Sequence, residues 1–475
     1  MLEVWFREEG WRASTVPYLE GTLIFVFVMH VFETYLDYRQ HQKLHDKTFP
    51  EKLRQAIERV DEQNQAKATK KDGENKTKDE SGKSLLAQTM DKFEKSRLYG
   101  LDKSRYSFVH GNFFLVEGLA MLLLGYMPFM WQCSRHLVDY FGYDRDHEIL
   151  VSLAFLTLTS VKDMLLSLPF ELYSTFVVEE RHGFNKQTLR LFVTDKIKST
   201  VLMMVFGYPL LAALIAIIRW GGDNFVFYVW AFTFAFTLIM MTIYPVWIMP
   251  LFNKFTSLED GPLRTAIEAL AASLRFPLTK LFVCDGSKRS GHSNAYLFGF
   301  FNNKRIVLYD TLLEQATQEE IVAILGHELG HWKLWHTIQG FVIQQVYIVA
   351  MFTVFGWCMH DRNLFASFGF QTDVGALPIM IGLTLFSTTL WAPVDKVLSF
   401  LLTANTRAKE FQADAFAVDL GHGEPLQSGL TKISLENLSN MNPDKLYSAY
   451  HYSHPPLLER LAAITTRMVK LNKSQ

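Results

Sequence analysis

Thr317-Gln-Glu-Glu-Ile-Val-Ala-Ile-Leu-Gly-His-Glu-Leu-Gly-His331 is the stretch on which the reading of this chain turns. Thr317 followed three residues later by Glu320 is a capping box, which predicts a helix starting here and running past Trp332. Residues four apart on a helix share one face, so His327 and His331 stand one above the other. Two neutral imidazoles presented this way are half of a tetrahedral zinc site. Glu328 lies one position off the ligand pair, so it acts as a base toward water at the ion instead of coordinating. A pattern with three fixed positions arises by chance in roughly a few per cent of chains this long. Its surroundings therefore have to decide.

A catalytic zinc needs a third protein ligand and an open position. Arg407-Ala-Lys-Glu-Phe-Gln-Ala-Asp414 supplies a candidate, with Glu410 and Asp414 again four apart. Glu410 completes a His-His-Glu set, and Asp414, one turn on, is suited to accept the free N–H of a ligand histidine. A solvated acidic face is the bland alternative. The small residues Ala408, Ala413, Ala415 and Ala417 around the pair favour close packing, and with it the ligand reading.

The rest of the chain points to a membrane. Of 475 residues nearly half are hydrophobic, 39 are Phe, and only 20% are charged, with a net charge of −1. Nothing in that balance suits nucleic acid. Three widely spaced cysteines (Cys133, Cys284, Cys358) form neither a disulfide framework nor a metal cluster. Seven stretches are long and apolar enough to cross a bilayer, near 18–36, 113–131, 149–170, 201–220, 225–249, 338–358 and 379–402. The first follows an acidic segment and no cleavage site follows it, so it reads as an anchor, not a signal peptide. Glu20, His30, Glu33, Glu117, Lys162, Asp163, Asp395 and Lys396 lie within or beside these spans. Charges near span ends can snorkel, but Glu117, Lys162 and Asp163 sit deeper and imply a polar space between helices.

Lysine and arginine set the orientation. One side carries six, while the first connection on the other side, residues 37–112, alone carries seventeen. Both metal motifs fall on the richer side, which is therefore the cytosolic one. Residues 1–250 read as spans one to five, 251–337 as a cytosolic block, 338–402 as spans six and seven, and 403–475 as a cytosolic helical tail. The polar run 61–84 reads as a disordered insert. Within the block, Leu263–Leu274 has helical spacing, and 281–284, 294–300 and 305–309 read as strands. A small sheet before the zinc helix offers an edge to which an extended peptide can add. His182 reads as a structural hydrogen-bonding residue.

Four segments then resemble one family. They are His-Glu-Leu-Gly-His-Trp-Lys-Leu (327–334), Glu-Phe-Gln-Ala-Asp-Ala-Phe-Ala (410–417), Gly-Ser-Lys-Arg-Ser-Gly-His-Ser-Asn-Ala-Tyr (286–296) and His-Tyr-Ser-His-Pro-Pro-Leu-Leu-Glu-Arg-Leu (451–461). In order and spacing they resemble the eukaryotic CAAX prenyl protease 1 family, most nearly its animal members. The resemblance implies an all-α integral membrane protein with seven transmembrane helices around a water-filled chamber, and a cytosolic zincin-like region containing a small β-sheet. It implies one zinc ion, bound by His327, His331 and Glu410, with Glu328 as general base and His454 as electrophilic partner. It also places Asn294 and Ala295 on the substrate-binding edge strand. The implied reaction removes the C-terminal tripeptide from prenylated Cys-aliphatic-aliphatic-X proteins at the endoplasmic reticulum and inner nuclear membranes, with a second cut in farnesylated lamin precursors.

Two other readings compete. An intramembrane metalloprotease would carry its zinc motif inside an apolar span, whereas Glu314, Glu319, Glu320 and Lys333 flank this one. A silent seven-helix scaffold would have no need of His-Glu-x-x-His together with a distal Glu.

Overall fold

The computed structural model describes residues 15–71, 83–300, 303–371 and 377–474. Seven helices in it are long and apolar enough to span a bilayer: Tyr18–Leu44, Leu85–Leu123, Glu148–Glu179, Leu189–Trp220, Gly222–Phe252, His336–Cys358 and Ile379–Asp419. Each contains most of an expected apolar stretch, and most run on beyond it. In their most apolar windows only 0–17% of residues are buried. Most of their apolar surface is therefore not covered by other parts of the protein, as expected of helices that face lipid. Polar pairs link neighbouring spans. Lys162 donates to Glu117 (2.6 Å), Lys396 to Glu33 (2.6 Å), and Tyr347 to Asp395 (2.7 Å).

Three boundaries differ from the sequence reading. The second span ends at Leu123 because Gly125 takes a left-handed backbone (φ 62°); Tyr126–Tyr140 is then a separate helix packed on span three. The seventh span does not stop near 402. Its last segment is one continuous helix, Ala392–Asp419, so Glu410 stands on the extension of a span and not on a separate tail. The expected disordered insert is partly helical. Residues 61–71 continue the helix Glu51–Lys71, whose Leu53, Ile57 and Val60 are buried against Leu85, Phe93, Leu435 and Leu461. An apolar i, i+4, i+7 stripe ahead of the polar run supplies that packing face. Residues 72–82 of the insert lie outside the described residues, and Ser84 caps the next helix.

The soluble block is organised by a four-stranded sheet of order β1-β2-β4-β3, with β1 Phe255–Ser257, β2 Leu278–Cys284, β3 Ala295–Phe300 and β4 Asn303–Tyr309. The strand β1 was not anticipated; at three residues it carries almost no periodicity. β2 and β4 run parallel, joined through β3, which pairs antiparallel with β4 alone. β3 is therefore an edge. Leu281, Ala295, Ile306 and Leu308 point into the largest soluble core, where they meet Ile321, Ile324, Leu325 and Leu329 of the HExxH helix and Ala417, Val418, Leu426 and Ile464 from the C-terminal part.

Candidate active site

The HExxH helix runs Gln318–Lys333 and begins with the predicted capping box. Thr317 Oγ1 accepts from the Glu320 N–H, and Glu320 accepts from the Thr317 N–H. Glu320 is buried, and its carboxylate also takes Ser428 Oγ (2.6 Å) and Lys432 Nζ (3.0 Å) from the C-terminal part. One residue thus caps the helix and ties it to a segment over a hundred positions away. The helix ends at Trp335, held in a left-handed conformation (φ 62°), from which span six departs.

The helix carrying Glu410 crosses the HExxH helix closely because of Gly330. A Cβ there would lie 3.1 Å from Phe416 and 3.2 Å from the Ala413 backbone. The approach brings three donors together: the ligand atoms of His327, His331 and Glu410 all lie within 4.8 Å of one another. His327 Nε2 and His331 Nε2 are 3.3 Å apart, and they stand 3.6 and 3.3 Å from the Glu410 carboxylate oxygens. Donors held at about 2.05 Å by a tetrahedral cation are separated by about 3.4 Å. The three separations fall near that value, the two carboxylate distances being to different oxygens of Glu410, Oε2 for His327 and Oε1 for His331. Two imidazole nitrogens face each other across the triangle, and Glu410 Oε2 is buried with no hydrogen-bond partner. A cation at the centre satisfies all of these atoms.

Each histidine is oriented from behind. His327 Nδ1 meets Asp414 Oδ1 at 2.8 Å, and Asp414 is gripped by Arg460 through two hydrogen bonds of 2.9 and 2.6 Å. His331 Nδ1 meets His336 Nδ1 at 3.0 Å, and His336 Nε2 meets Gln412 Oε1 at 3.0 Å. These contacts select the tautomer that aims Nε2 at the centre. Burial disfavours a charge on His327, but the carboxylates of Asp414 and Glu410 outweigh it and push its pKa up to about 9.

Glu328 is on the same helix, partly buried. Burial raises its pKa above the ordinary carboxylate range, against the opposing pull of His327 and His331. His454 is largely exposed, yet its Nδ1 reaches to 2.7 Å from Glu410 Oε2 without the alignment of a hydrogen bond. Asn294 is exposed at the start of β3, whose strand contacts the HExxH helix; Ala295 pairs with Leu308. The structure therefore gathers His327, Glu328, His331, Glu410, Asp414 and His454 around one point, with Asn294 and Ala295 on the adjoining edge strand.

Sequence reasoning overlooked Arg460, His336, Gln412 and Asn437. Arg460 stood in plain view within 451–461, but an arginine says nothing about which acid it grips. Asn437 Oδ1 accepts from the Ser293 N–H (3.1 Å) and contacts His292 Nδ1 (3.2 Å), holding the loop that feeds β3. No local signal announces such a contact. His182 pairs with Asp102 (3.0 Å), near the middle of the helix Leu85–Leu123, and is not among the residues that meet at the donor triangle.

Fold and site together define a membrane-embedded metalloprotease. Residues 39–254 match the family model described as CAAX prenyl protease N-terminal, five membrane helices, and residues 257–468 match peptidase family M48. The chain is 48% identical to the Arabidopsis thaliana CAAX prenyl protease 1 homolog over 94% of its own length and 98% of the relative's. To the Homo sapiens homolog it is 44% identical, over 80% and 88%. The crystal structure of S. mikatae Ste24p superposes with a TM-score of 0.82 at 37% identity, covering 95% of this chain and 99% of that one. The chain belongs to the CAAX prenyl protease 1 family. The expected leaning toward animal members is not met, since the plant relative is the more similar of the two.

Proposed function

We propose that this protein is a zinc endopeptidase that removes the C-terminal tripeptide from prenylated Cys-aliphatic-aliphatic-X proteins. It resides in the endoplasmic reticulum and inner nuclear membranes with its site facing the cytosol, and its substrates include farnesylated lamin precursors. The observation that carries the reading is the donor triangle of His327, His331 and Glu410, on a chain of this family, at the junction of seven apolar helices with a soluble block. Two imidazoles and a carboxylate are the donor set of hydrolytic zinc sites. When bound, such an ion polarises the scissile carbonyl and lowers the pKa of water beside it.

The protein's own residues do the rest. Glu328 takes a proton from the attacking water and delivers it to the departing amine. His454 donates to the oxygen of the tetrahedral intermediate, a group worth roughly 3 kcal/mol in comparable sites. Asp414, gripped by Arg460, and His336, gripped by Gln412, keep the ligand imidazoles in register. Asn294 and Ala295 lie where an extended tail adds as a strand to the unpaired edge of β3. The spans, linked by polar pairs, leave room for a lipidated tail beside water.

The decisive experiment incubates the purified protein with a farnesylated Cys-aliphatic-aliphatic-X peptide, with and without a chelator. Mass spectrometry should find the released tripeptide only without chelator, with activity restored by zinc. An intact peptide in all arms overturns the proposal.

A further inference from the structure

The sheet has two faces, and the HExxH helix uses one. Side chains alternate along a strand, so while Leu281, Ile306 and Ala295 enter the soluble core, Phe282, Arg305 and Phe298 face the other way. There they meet the end of span five across a cavity of about 530 Å³. The cavity has two kinds of wall. Pro245, Val246, Leu251 and Phe252 continue the apolar surface of the span, whereas Lys254, Lys288 and Arg305 bring three positive charges to the same space.

Among the described residues those charges have no ion-pair partner within hydrogen-bonding reach, and the nearby acids are engaged elsewhere. Asp285 accepts the Lys254 backbone N–H (2.7 Å), Asp310 the Ser287 backbone N–H (2.9 Å), and Asp195 the Arg289 guanidinium (2.9 Å). The Arg305 guanidinium carbon lies over the Phe298 ring, 5.6 Å from its centre, a cation–π contact that holds it at the cavity wall. Tyr244 and Trp247, both exposed, sit on the same last turns of span five. Exposed Tyr and Trp at the end of an apolar helix mark the level of lipid headgroups.

We propose that this cavity binds the phosphate headgroup of an anionic phospholipid. Lys254, Lys288 and Arg305 surround the phosphate, and the acyl chain runs down the wall of Val246, Leu251 and Phe252. A soluble anion would need the cations but not an apolar wall continuous with a span. A neutral lipid would need the wall but leaves three unpaired cations together. Only a lipid carrying net negative charge answers both, and the cytosolic leaflet supplies it. The bound lipid braces the end of span five against the sheet that carries the edge strand β3, from the side opposite the metal donors.

The test uses the full chain in nanodiscs of phosphatidylcholine alone or with a fifth phosphatidylserine, followed by thermal unfolding and by native mass spectrometry of the released protein. Serine lipid should raise Tm by several degrees and leave one tightly retained anionic adduct. Lys254→Gln with Lys288→Gln alters only exposed side chains; this double variant should keep the Tm seen in phosphatidylcholine and lose most of the gain. Adding Arg305→Gln should remove the remainder and the adduct. Equal stabilisation by phosphatidylcholine, or an undiminished gain in the double variant, overturns the proposal. So does an equal effect of free glycerol phosphate, which would mean a soluble-anion site.

Discussion

The HExxH helix buries ten of its sixteen residues, whereas no span window buries more than 17% of its own. One region is a dry, close-packed block and the other an open scaffold, and the contrast follows from what each must hold. Three metal donors have to stay within a few tenths of an ångström of their places, which only packed, rotamer-locked neighbours can ensure. The spans have to leave space, so they meet through a few polar pairs and small apolar clusters such as Ile215, Val229, Phe355 and Phe386. Precision belongs to the block and access to the spans.

The largest expected effect lies at the donor triangle. Glu410→Ala removes one of three ligands from a site with no spare, so both metal content and turnover should vanish. Elemental analysis showing a full equivalent of metal would take Glu410 out of the site. Glu328→Gln comes next. It should retain metal and Tm while kcat falls by about 10²–10⁴-fold, the usual weight of a general acid–base group; near-normal turnover would leave the mechanism without its base.

The packing contrast itself is tested by a pair of truncations. Leu325 is fully buried in the block, so Leu325→Ala should cost about 3 kcal/mol and lower Tm visibly. Ile24 is exposed on span one, and Ile24→Ala should be close to neutral in a bilayer. Similar losses at both positions would mean that the spans are as tightly packed as the block.

His454→Ala follows, with kcat lower by about a hundredfold and with KM and metal content near normal. Because His454 is exposed, a drop in stability instead would mark it as structural. Apart from the near-neutral Ile24 control, the smallest effect is expected at Lys162, paired with Glu117 at 2.6 Å between spans. If the inner faces are wet, Lys162→Met leaves Glu117 hydrated and costs under about 1 kcal/mol. A loss of about 3–5 kcal/mol would show that the pair is dry and the interior closed.

Much of this architecture was legible in the chain because it rests on short-range geometry. The i, i+4 spacing of His327 with His331, and of Glu410 with Asp414, is a helix property, and the Thr317–Glu320 capping box marked the start of the first helix to the residue. Hydropathy over some twenty residues located all seven spans. Boundaries held less well where a single backbone angle or a change of environment decided them, as at Gly125 and along the unbroken helix through Leu402. The polar composition of 61–84 concealed a helix through Lys71, because the stripe that packs it lies earlier, at Leu53, Ile57 and Val60.

What the sequence determined alone is therefore the set of parts: two ligand-bearing helices, seven spans, and a small sheet with an edge. Which parts meet was decided only by tertiary structure. Arg460 grips an aspartate 46 positions away, His336 meets a glutamine 76 positions away, and Asn437 holds a loop 144 positions away. Helical periodicity is written into neighbouring residues by backbone geometry. Contacts across such separations depend on how whole elements stack. Here the stacking is set by features as slight as the missing side chain of Gly330, which lets two helices come close enough to bring His327, His331 and Glu410 together.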